Sequence, residues 1–199
     1  MSLPFSQSCE NNKDYILAQL RRHFTKPFGR VLEIAGGTGQ HAEYFAQHMP
    51  HLHWQSTDVP ENVGTLNLRL EAAGLSNLPS ARPFDVTQDK LAHSPLDYIF
   101  SANSLHIMPA EAVTHFFRHM RYLLANSGVL CVYGPFKYNG EFTTSSNAEF
   151  DNYLKGRNSA SGIRDFETVQ SLAEEAGLNF LEDNAMPANN QLLVWTKSY

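Results

Sequence analysis

The feature that most constrains the fold is a short apolar segment that runs into a cluster of glycines. Residues 30–35 (RVLEIA) have the composition of a buried β-strand, and GGTG follows directly at 36–39. A helical pattern begins at about Gly39 and ends before Pro50. Glycines permit a tight turn and let a ligand approach the backbone, and the helix N-terminus adds free N–H groups. This order predicts a strand–loop–helix unit that binds part of a nucleotide.

An acidic residue strengthens this prediction. Residues 51–58 are predicted to form the second strand, which ends at Asp58. A carboxylate about 20 residues beyond the glycines is the ribose-binding group of nucleotide-binding α/β folds. In the alternative interpretation the glycines only form a tight turn and Asp58 caps a neighbouring element. The strand, glycines, helix and acid together favour the nucleotide site.

The rest of the chain alternates apolar strands with helical patterns, which is typical of an α/β fold with a mostly parallel sheet. Further helices are predicted at 61–73, 109–124 and 165–176, and further strands at 82–86, 97–102, 128–133, 178–182 and 191–196. The short connection 183–190 favours an antiparallel last pair. Residues 134–162 lack strong periodicity, and we expect a lid there rather than an inert surface excursion. We expect one domain over 1–199, with a helical segment at 1–24.

Composition limits the classes of function. The 199 residues suffice for one hydrophobic core, and 15 Lys and Arg against 20 Asp and Glu give a net charge of −5. This balance disfavours nucleic acid and anionic membranes as partners. Neither a membrane-spanning apolar run nor a signal-peptide pattern is found, and the two cysteines lack metal-ligand spacing. We therefore expect a cytoplasmic protein.

Two cofactors are compatible with the glycine pattern. Gly37-x-Gly39-x-x-Ala42 satisfies the dinucleotide motif, so an NAD-dependent oxidoreductase is one candidate. Glu33, however, places a carboxylate in the first strand, where it would repel a pyrophosphate and attract a cofactor with ammonium and sulfonium charges. The chain also ends in a predicted antiparallel hairpin instead of a second mononucleotide-binding half. Both features favour a methyl donor.

The same residues resemble a known signature. Glu33-x-Ala35-x-Gly37-x-Gly39 is similar to the motif E/D-x-G-x-G-x-G that binds S-adenosylmethionine (AdoMet) in class I methyltransferases, with alanine at the first glycine. The chain as a whole resembles the methyltransferase-like protein 26 family, a domain of unknown function. The matching strings are NKD at 12–14, EIAGGTGQHA at 33–42, ANSLHI at 102–107, YGPF at 133–136, IRD at 163–165 and MPANN at 186–190.

The resemblance implies a fold. It is a single-domain, Rossmann-like α/β class I methyltransferase fold with helices on both faces of a seven-stranded, mostly parallel sheet. The implied strand order is 3-2-1-4-5-7-6, with strand 7 antiparallel.

The resemblance also implies roles for individual residues. Glu33 would position the methionine amino end of AdoMet, and Asp58 would hold the ribose hydroxyls. Asp85 and Val86 would meet the adenine, and Asn103 would lie beside the sulfonium. Asp85 and Asn103 are otherwise ordinary turn residues.

Four further residues complete the implied cofactor site. Ala35, Gly37 and Gly39 would form the bend that approaches AdoMet. Lys13 would face the cofactor's carboxylate from an N-terminal segment folded over the site. The alternative for this segment is an ordinary helix start that is capped by Asp14.

Two side chains are candidates for acceptor chemistry. His106 follows the fourth strand, and an imidazole with the ordinary pKa of ~6.5 suits proton removal; otherwise it is a space-filling loop residue. Tyr133, with residues 142–150, would shape an acceptor pocket unless it only packs in the core. His115 and His119 share a helical face, but no third ligand has suitable spacing, so we predict no metal site.

These observations predict an AdoMet-dependent methyltransferase with a small-molecule acceptor. The length leaves little room for a domain that recognises a macromolecule. Two alternatives stay open: a non-catalytic module that binds AdoMet for regulation or interaction, and the NAD-dependent oxidoreductase.

Overall fold

A seven-stranded sheet forms the middle layer of the protein, whose computed structural model describes residues 3–88 and 95–198. The strands of this sheet are β1 (Gly29–Ile34), β2 (Leu52–Asp58), β3 (Arg82–Pro83), β4 (Leu96–Ala102), β5 (Leu124–Gly134), β9 (Leu178–Met186) and β10 (Asn190–Lys197). A smaller sheet consists of β6 (Phe136–Tyr138), β7 (Glu141–Phe142) and β8 (Arg164–Asp165). The helices are α1 (Gln7–His23), α2 (Gln40–His48), α3 (Pro60–Ala73), α4 (Ala110–Leu123), α5 (Ser145–Arg157) and α6 (Phe166–Glu175).

The large sheet has the order β3-β2-β1-β4-β5-β10-β9. The neighbours from β3 to β5 pair in parallel, whereas β10 pairs antiparallel with both β5 and β9. This is the order that the sequence resemblance implied, so the predicted topology is confirmed. The strand order reverses between β1 and β4, and in open α/β sheets ligands bind at such a switch point, beyond the carboxyl ends of the strands.

Both faces of this sheet are covered by helices because successive strand residues point to opposite sides. On one face Phe100 of β4 packs against Phe45 of α2, with ring centroids 5.5 Å apart. On the other face Ile99 belongs to the core cluster in which Phe117 of α4 meets Trp195 of β10 at 5.9 Å. In the described residues no helix is both long and apolar enough to cross a membrane.

Three predicted strand boundaries are wrong, and one of them is the start of β5, which begins at Leu124 and not at residue 128. The segment 183–190 was expected to be a loop, but β9 continues to Met186, which pairs with Asn190, and only Pro187–Asn189 forms the turn. The side chains of this edge strand lack the apolar pattern from which a strand is predicted. Backbone pairing with β10 nevertheless extends the strand. Conversely, β3 is only two residues long, because Asp85 accepts a hydrogen bond from Thr87 N at 2.8 Å and turns the chain.

The segment 134–162 contains regular structure of its own. It contributes β6, β7 and α5, and a three-stranded sheet of order β7-β6-β8 joins it to residues 164–165. The hydroxyl of Thr144 accepts a hydrogen bond from Asn147 N at 3.3 Å and caps α5. A lid movement of this segment stays a prediction.

Candidate functional site

The glycine cluster forms a tight loop between β1 and α2. Ala35, Gly37 and Gly39 all have positive φ, at 63°, 58° and 76°. Gly36 N donates to Thr57 O at 2.9 Å, which ties the loop to β2. A left-handed conformation costs a residue with a Cβ about 1–2 kcal/mol. Ala35, at the position where the methyltransferase motif has glycine, therefore carries backbone strain.

Gly36 has no room for a side chain, because a Cβ there would overlap Ser56 Oγ and lie 3.1 Å from Leu66 Cδ2. We expect Gly36→Ala to lower the free energy of unfolding by about 1–3 kcal/mol, since the loop or β2 must shift. The matched control is Gly64→Ala in α3, where an added Cβ meets nothing within 4 Å. This control should stabilise the protein by about 0.5–1 kcal/mol. Urea denaturation measures both, and equal losses would contradict the prediction.

The Asp58 carboxylate connects the glycine loop to α3. One oxygen accepts a hydrogen bond from Gly37 N at 2.8 Å. The other accepts from Val59 N and from Asn62 Nδ2, each at 2.8 Å. Only 6% of Asp58 is exposed. A carboxylate has about four acceptor positions, so Asp58 orders the loop and can still accept a hydrogen bond from a ligand.

A cavity of about 970 Å³ opens beside this loop, beyond the carboxyl ends of β1, β2 and β4. The structure brings these predicted site residues together in its lining: Ala35, Gly37, Asp58, Asp85, Val86, Asn103 and His106. Asn103 follows β4 with a left-handed φ of 53°, and its N–H donates to Tyr133 O at 2.8 Å. The cavity thus lies at the switch point of the sheet.

The lining of this cavity is acidic. Its described residues include the carboxylates of Asp58, Asp85 and Glu111 and the guanidinium of Arg157. Hydrogen bonds from the Thr87 hydroxyl and backbone lower the pKa of Asp85, so this carboxylate is ionised at neutral pH. The excess of negative charge favours a cationic ligand.

Glu33 lies beneath the glycine loop and outside the described lining of the cavity. It is 2% exposed, and its carboxylate accepts a hydrogen bond from Trp54 Nε1 at 3.2 Å. Burial raises the pKa of Glu33 to about 7, and the nearby Asp58 carboxylate adds to this effect. Glu33 was predicted to act on the cofactor through its negative charge, whereas the fold buries its carboxylate.

Lys13 and Gly39 also lie outside the described lining. The Lys13 ammonium pairs with Glu10 and lies 4.9 Å from the centroid of the Tyr44 ring. The side of Gly39 on which a Cβ would lie faces α3, with Leu66 at 2.9 Å. The structure therefore does not bring these two residues to the cavity.

The N-terminal segment contributes cavity residues that the sequence reasoning missed, namely Ser6, Ser8 and Cys9. Gln40 holds this segment in place, because its Oε1 accepts a hydrogen bond from Ser6 N and its Nε2 donates to Glu10 at 3.0 Å. The sequence signal that could have indicated this contact is the pair of strings NKD at 12–14 and GGTGQHA at 36–42.

A buried histidine connects the two segments that carry these strings. His41 Nε2 lies 2.7 Å from Asn12 Oδ1, which connects α2 to α1. Burial lowers the pKa of His41 to about 4, so the imidazole is neutral at physiological pH. His41 is also part of the cavity lining and was not among the predicted site residues.

His106 lines the larger cavity from the loop that follows β4. It is 5% exposed, and its ring packs edge-on against Phe150 with centroids 5.4 Å apart. Within the described parts of the chain its ring nitrogens have no hydrogen-bond partner. Burial lowers the pKa of His106 to about 4, with a contribution from the positive charge of Arg164. The ordinary pKa assumed from sequence is therefore wrong: the imidazole is neutral at pH 7 but a weaker base.

Tyr133 lines a second, smaller cavity of about 260 Å³. This cavity shares Ser8, Asn103 and Phe150 with the larger one. Burial raises the pKa of the Tyr133 phenol, so it remains protonated at neutral pH. Tyr133 thus lies beside the larger cavity and not within its described lining.

Two histidines on α4 share a helical face, and no metal site was predicted for them. His119 Nε2 lies 2.9 Å from Val86 O, and His115 lies 3.9 Å from the Glu111 carboxylate. Among the described residues no cluster of three or more His, Cys, Asp or Glu side chains is arranged to hold a metal ion.

A family model described as "Protein of unknown function (DUF938)" matches residues 3–197. The chain belongs to this family. Solved structures of low sequence identity share its fold, among them an O-methyltransferase family protein from Burkholderia thailandensis. That structure has a TM-score of 0.84 at 16% identity, over 96% of this chain and 57% of that one.

Two further solved structures of methyltransferases are similar. Human N-acetylserotonin methyltransferase in complex with SAM has a TM-score of 0.78 at 17% identity, over 97% of this chain and 53% of that one. An O-methyltransferase family 2 protein from Planctomyces limnophilus, in complex with apigenin, has a TM-score of 0.74 at 18% identity, over 93% and 61%. The chain spans little more than half the length of these proteins. Its fold is therefore the Rossmann-like class I methyltransferase fold.

Proposed function

We propose that this DUF938 protein is an AdoMet-dependent methyltransferase that acts on a small molecule. The acidic cavity at the switch point, where Asp58 holds the glycine loop, carries the proposal. The structural neighbours named above support it by fold, since they are described as methyltransferases and one is in complex with SAM. The motifs at 33–42 and 186–190 extend the proposal to a relationship with the methyltransferase-like protein 26 family.

The residues of the cavity fit AdoMet better than NAD. AdoMet carries an ammonium and a sulfonium, which the carboxylates of Asp58, Asp85 and Glu111 attract. The same carboxylates would repel the pyrophosphate of a dinucleotide. A volume of about 970 Å³ is at the upper end of the usual range for ligand sites, which leaves room for an acceptor beside the cofactor.

The predicted residues that line the cavity keep the roles that the family resemblance implies. Asp58 accepts hydrogen bonds from the ribose hydroxyls, Asp85 and Val86 meet the adenine, and Asn103 lies beside the methionine portion. AdoMet supplies an electrophilic methyl group, so the protein mainly has to orient the acceptor, which lowers a barrier by up to ~7–11 kcal/mol. The neutral His106 offers an unprotonated nitrogen to the acceptor.

Three predicted residues act from outside the larger cavity in this proposal. Glu33 and Gly39 support the loop from below, and Tyr133 borders the smaller cavity. The contact that was predicted between Lys13 and the cofactor's carboxylate requires Lys13 to leave Glu10.

Calorimetric titration with AdoMet, S-adenosylhomocysteine, NAD⁺ and NADH tests the cofactor. We expect the two adenosyl compounds to bind at least a hundredfold more tightly than either dinucleotide, because the lining is net negative. Binding of NAD⁺ or NADH without binding of AdoMet would overturn the proposal.

A screen of small acceptors for formation of S-adenosylhomocysteine tests catalysis. Product above the background of the protein without acceptor supports an enzyme. AdoMet binding without product from any acceptor would instead support the non-catalytic binding module.

A further inference from the structure

The smaller cavity adjoins the proposed AdoMet site. The two cavities meet at Ser8, Asn103 and Phe150. The other walls of the smaller cavity come from α1, the end of β5, α5 and the turn between β9 and β10. A molecule bound there would therefore lie beside the cofactor site.

The lining of the smaller cavity is polar but uncharged. Its polar side chains are mainly asparagines, which are Asn11, Asn12, Asn103, Asn147 and Asn190. No Lys, Arg, His, Asp or Glu is among the described residues that line it. A charged ligand would lose its hydration there without gaining an opposite charge, which is costly. The lining therefore selects against anions and cations.

One of these asparagines has a free acceptor. Asn147 is 6% exposed, and its Nδ2 donates to Thr143 Oγ1 at 2.9 Å and to Asn189 O at 3.1 Å. The backbone carbonyl fixes which atom of the amide is the nitrogen, because a carbonyl can only accept. Asn147 Oδ1 has no hydrogen-bond partner within residues 3–88 and 95–198. An acceptor at a cavity wall without a partner in the protein is available for a hydrogen bond from a bound molecule.

Two of the six described non-glycine residues with positive φ line this cavity. Asn103 and Ala188 both line it in the left-handed conformation, with φ of 53° and 58°. Strained residues that surrounding structure holds in place cluster at ligand sites.

We propose that the smaller cavity binds the uncharged part of the methyl acceptor, which donates a hydrogen bond from a hydroxyl or amide N–H to Asn147 Oδ1, while the reacting group of the acceptor lies in the larger cavity with His106. The inference rests on the proposed function and adds its substrate class. A volume of about 260 Å³, slightly below the usual range for ligand sites, restricts the bound part to a compact group.

Four probes of matched shape test the charge preference: benzyl alcohol, benzamide, benzoate and benzylamine. Each is titrated into the full chain with saturating S-adenosylhomocysteine, and its dissociation constant is measured by NMR. We expect the alcohol and the amide to bind at least tenfold more tightly than the two ions. Equal or tighter binding of benzoate or benzylamine would overturn the proposal.

Variants on α5 test the role of Asn147. Asn147→Leu removes the acceptor and should weaken benzamide at least fivefold, whereas the matched control Asn152→Leu, on the exposed side of α5, should not. Asn147→Asp places a carboxylate in the cavity and should make benzylamine bind more tightly than benzamide. This reversal requires a folded protein, so it separates loss of the ligand contact from loss of structure.

The affinity for S-adenosylhomocysteine separates the two proposals. We expect it to stay unchanged in the variants at positions 147 and 152. No binding of this compound to the unmodified chain would refute the proposed function, whatever the probes do. Its binding together with equal losses in Asn147→Leu and Asn152→Leu would refute the acceptor site alone.

Discussion

Asp58→Asn is expected to weaken AdoMet binding about a hundredfold. The substitution replaces one carboxylate oxygen with an NH₂ group, so either the hydrogen bond from Gly37 N or those from Val59 N and Asn62 Nδ2 are lost. It also removes the charge from the proposed contacts with the ribose hydroxyls. Hydrogen bonds to a charged group contribute about 1.5–3 kcal/mol each, and about 2.8 kcal/mol corresponds to a factor of a hundred.

Calorimetry with AdoMet measures this loss, and circular dichroism shows whether the variant is folded. The matched control is Glu61→Gln, which removes an exposed carboxylate from the first turn of α3. We expect the control to bind AdoMet within twofold of the unmodified protein. A folded Asp58→Asn protein with unchanged affinity would remove Asp58 from the proposed site.

Glu33→Gln is expected to stabilise the protein in a pH-dependent manner. Burial raises the pKa of Glu33 from the model-compound value of 4.5 to about 7 in the folded state. Below about pH 4.5 the carboxyl is protonated in both states and has no effect on stability. Between pH 4.5 and 7 the folded state binds more protons, so stability decreases as the pH rises, and above pH 7 the full penalty applies.

The expected gain from Glu33→Gln follows from the size of that shift. At 1.36 kcal/mol for each pKa unit, the variant should be about 3 kcal/mol more stable than the unmodified protein at pH 8. At pH 5 the difference should be only about 1 kcal/mol. Urea denaturation at the two pH values measures it. The same gain at both values, or none at pH 8, would show that Glu33 is not a buried ionised group.

The exposed Glu61→Gln variant serves again as the control and should show no such dependence on pH. A buried acid that destabilises the free protein is typical of a site where function opposes stability. Here Glu33 lies beneath the glycine loop, which is proposed to bind the cationic cofactor AdoMet.

Local sequence patterns were sufficient for the glycine loop and the strands and helices around it. The apolar strand, the glycines and the helix occur in one continuous stretch, so short-range conformational rules decide them. The same is true of α4, whose apolar residues repeat at helical spacing and are buried. The strand order came from the resemblance to class I methyltransferases, because periodicity does not specify which strands pair.

The candidate site was only partly predictable for a physical reason. Asp58, Asp85 and Asn103 follow the carboxyl ends of strands, and the ends of parallel strands meet at one edge of a sheet. Glu33 lies within a strand, where its neighbours on β2 and beneath the loop decide whether water reaches it. Its raised pKa is therefore a property of the packed fold.

The sequence by itself determined the class of fold and the loop that faces the proposed cofactor, because both depend on residues close together in the chain. The sequence predicted a pocket of Tyr133 and residues 142–150, but only the tertiary structure decided that Asn12 and Asn190 border the same cavity. These residues lie far apart in the chain, and sheet pairing and helix packing bring them together. Contacts of this range leave no local period in a sequence, and burial then sets the charge states of His41 and His106.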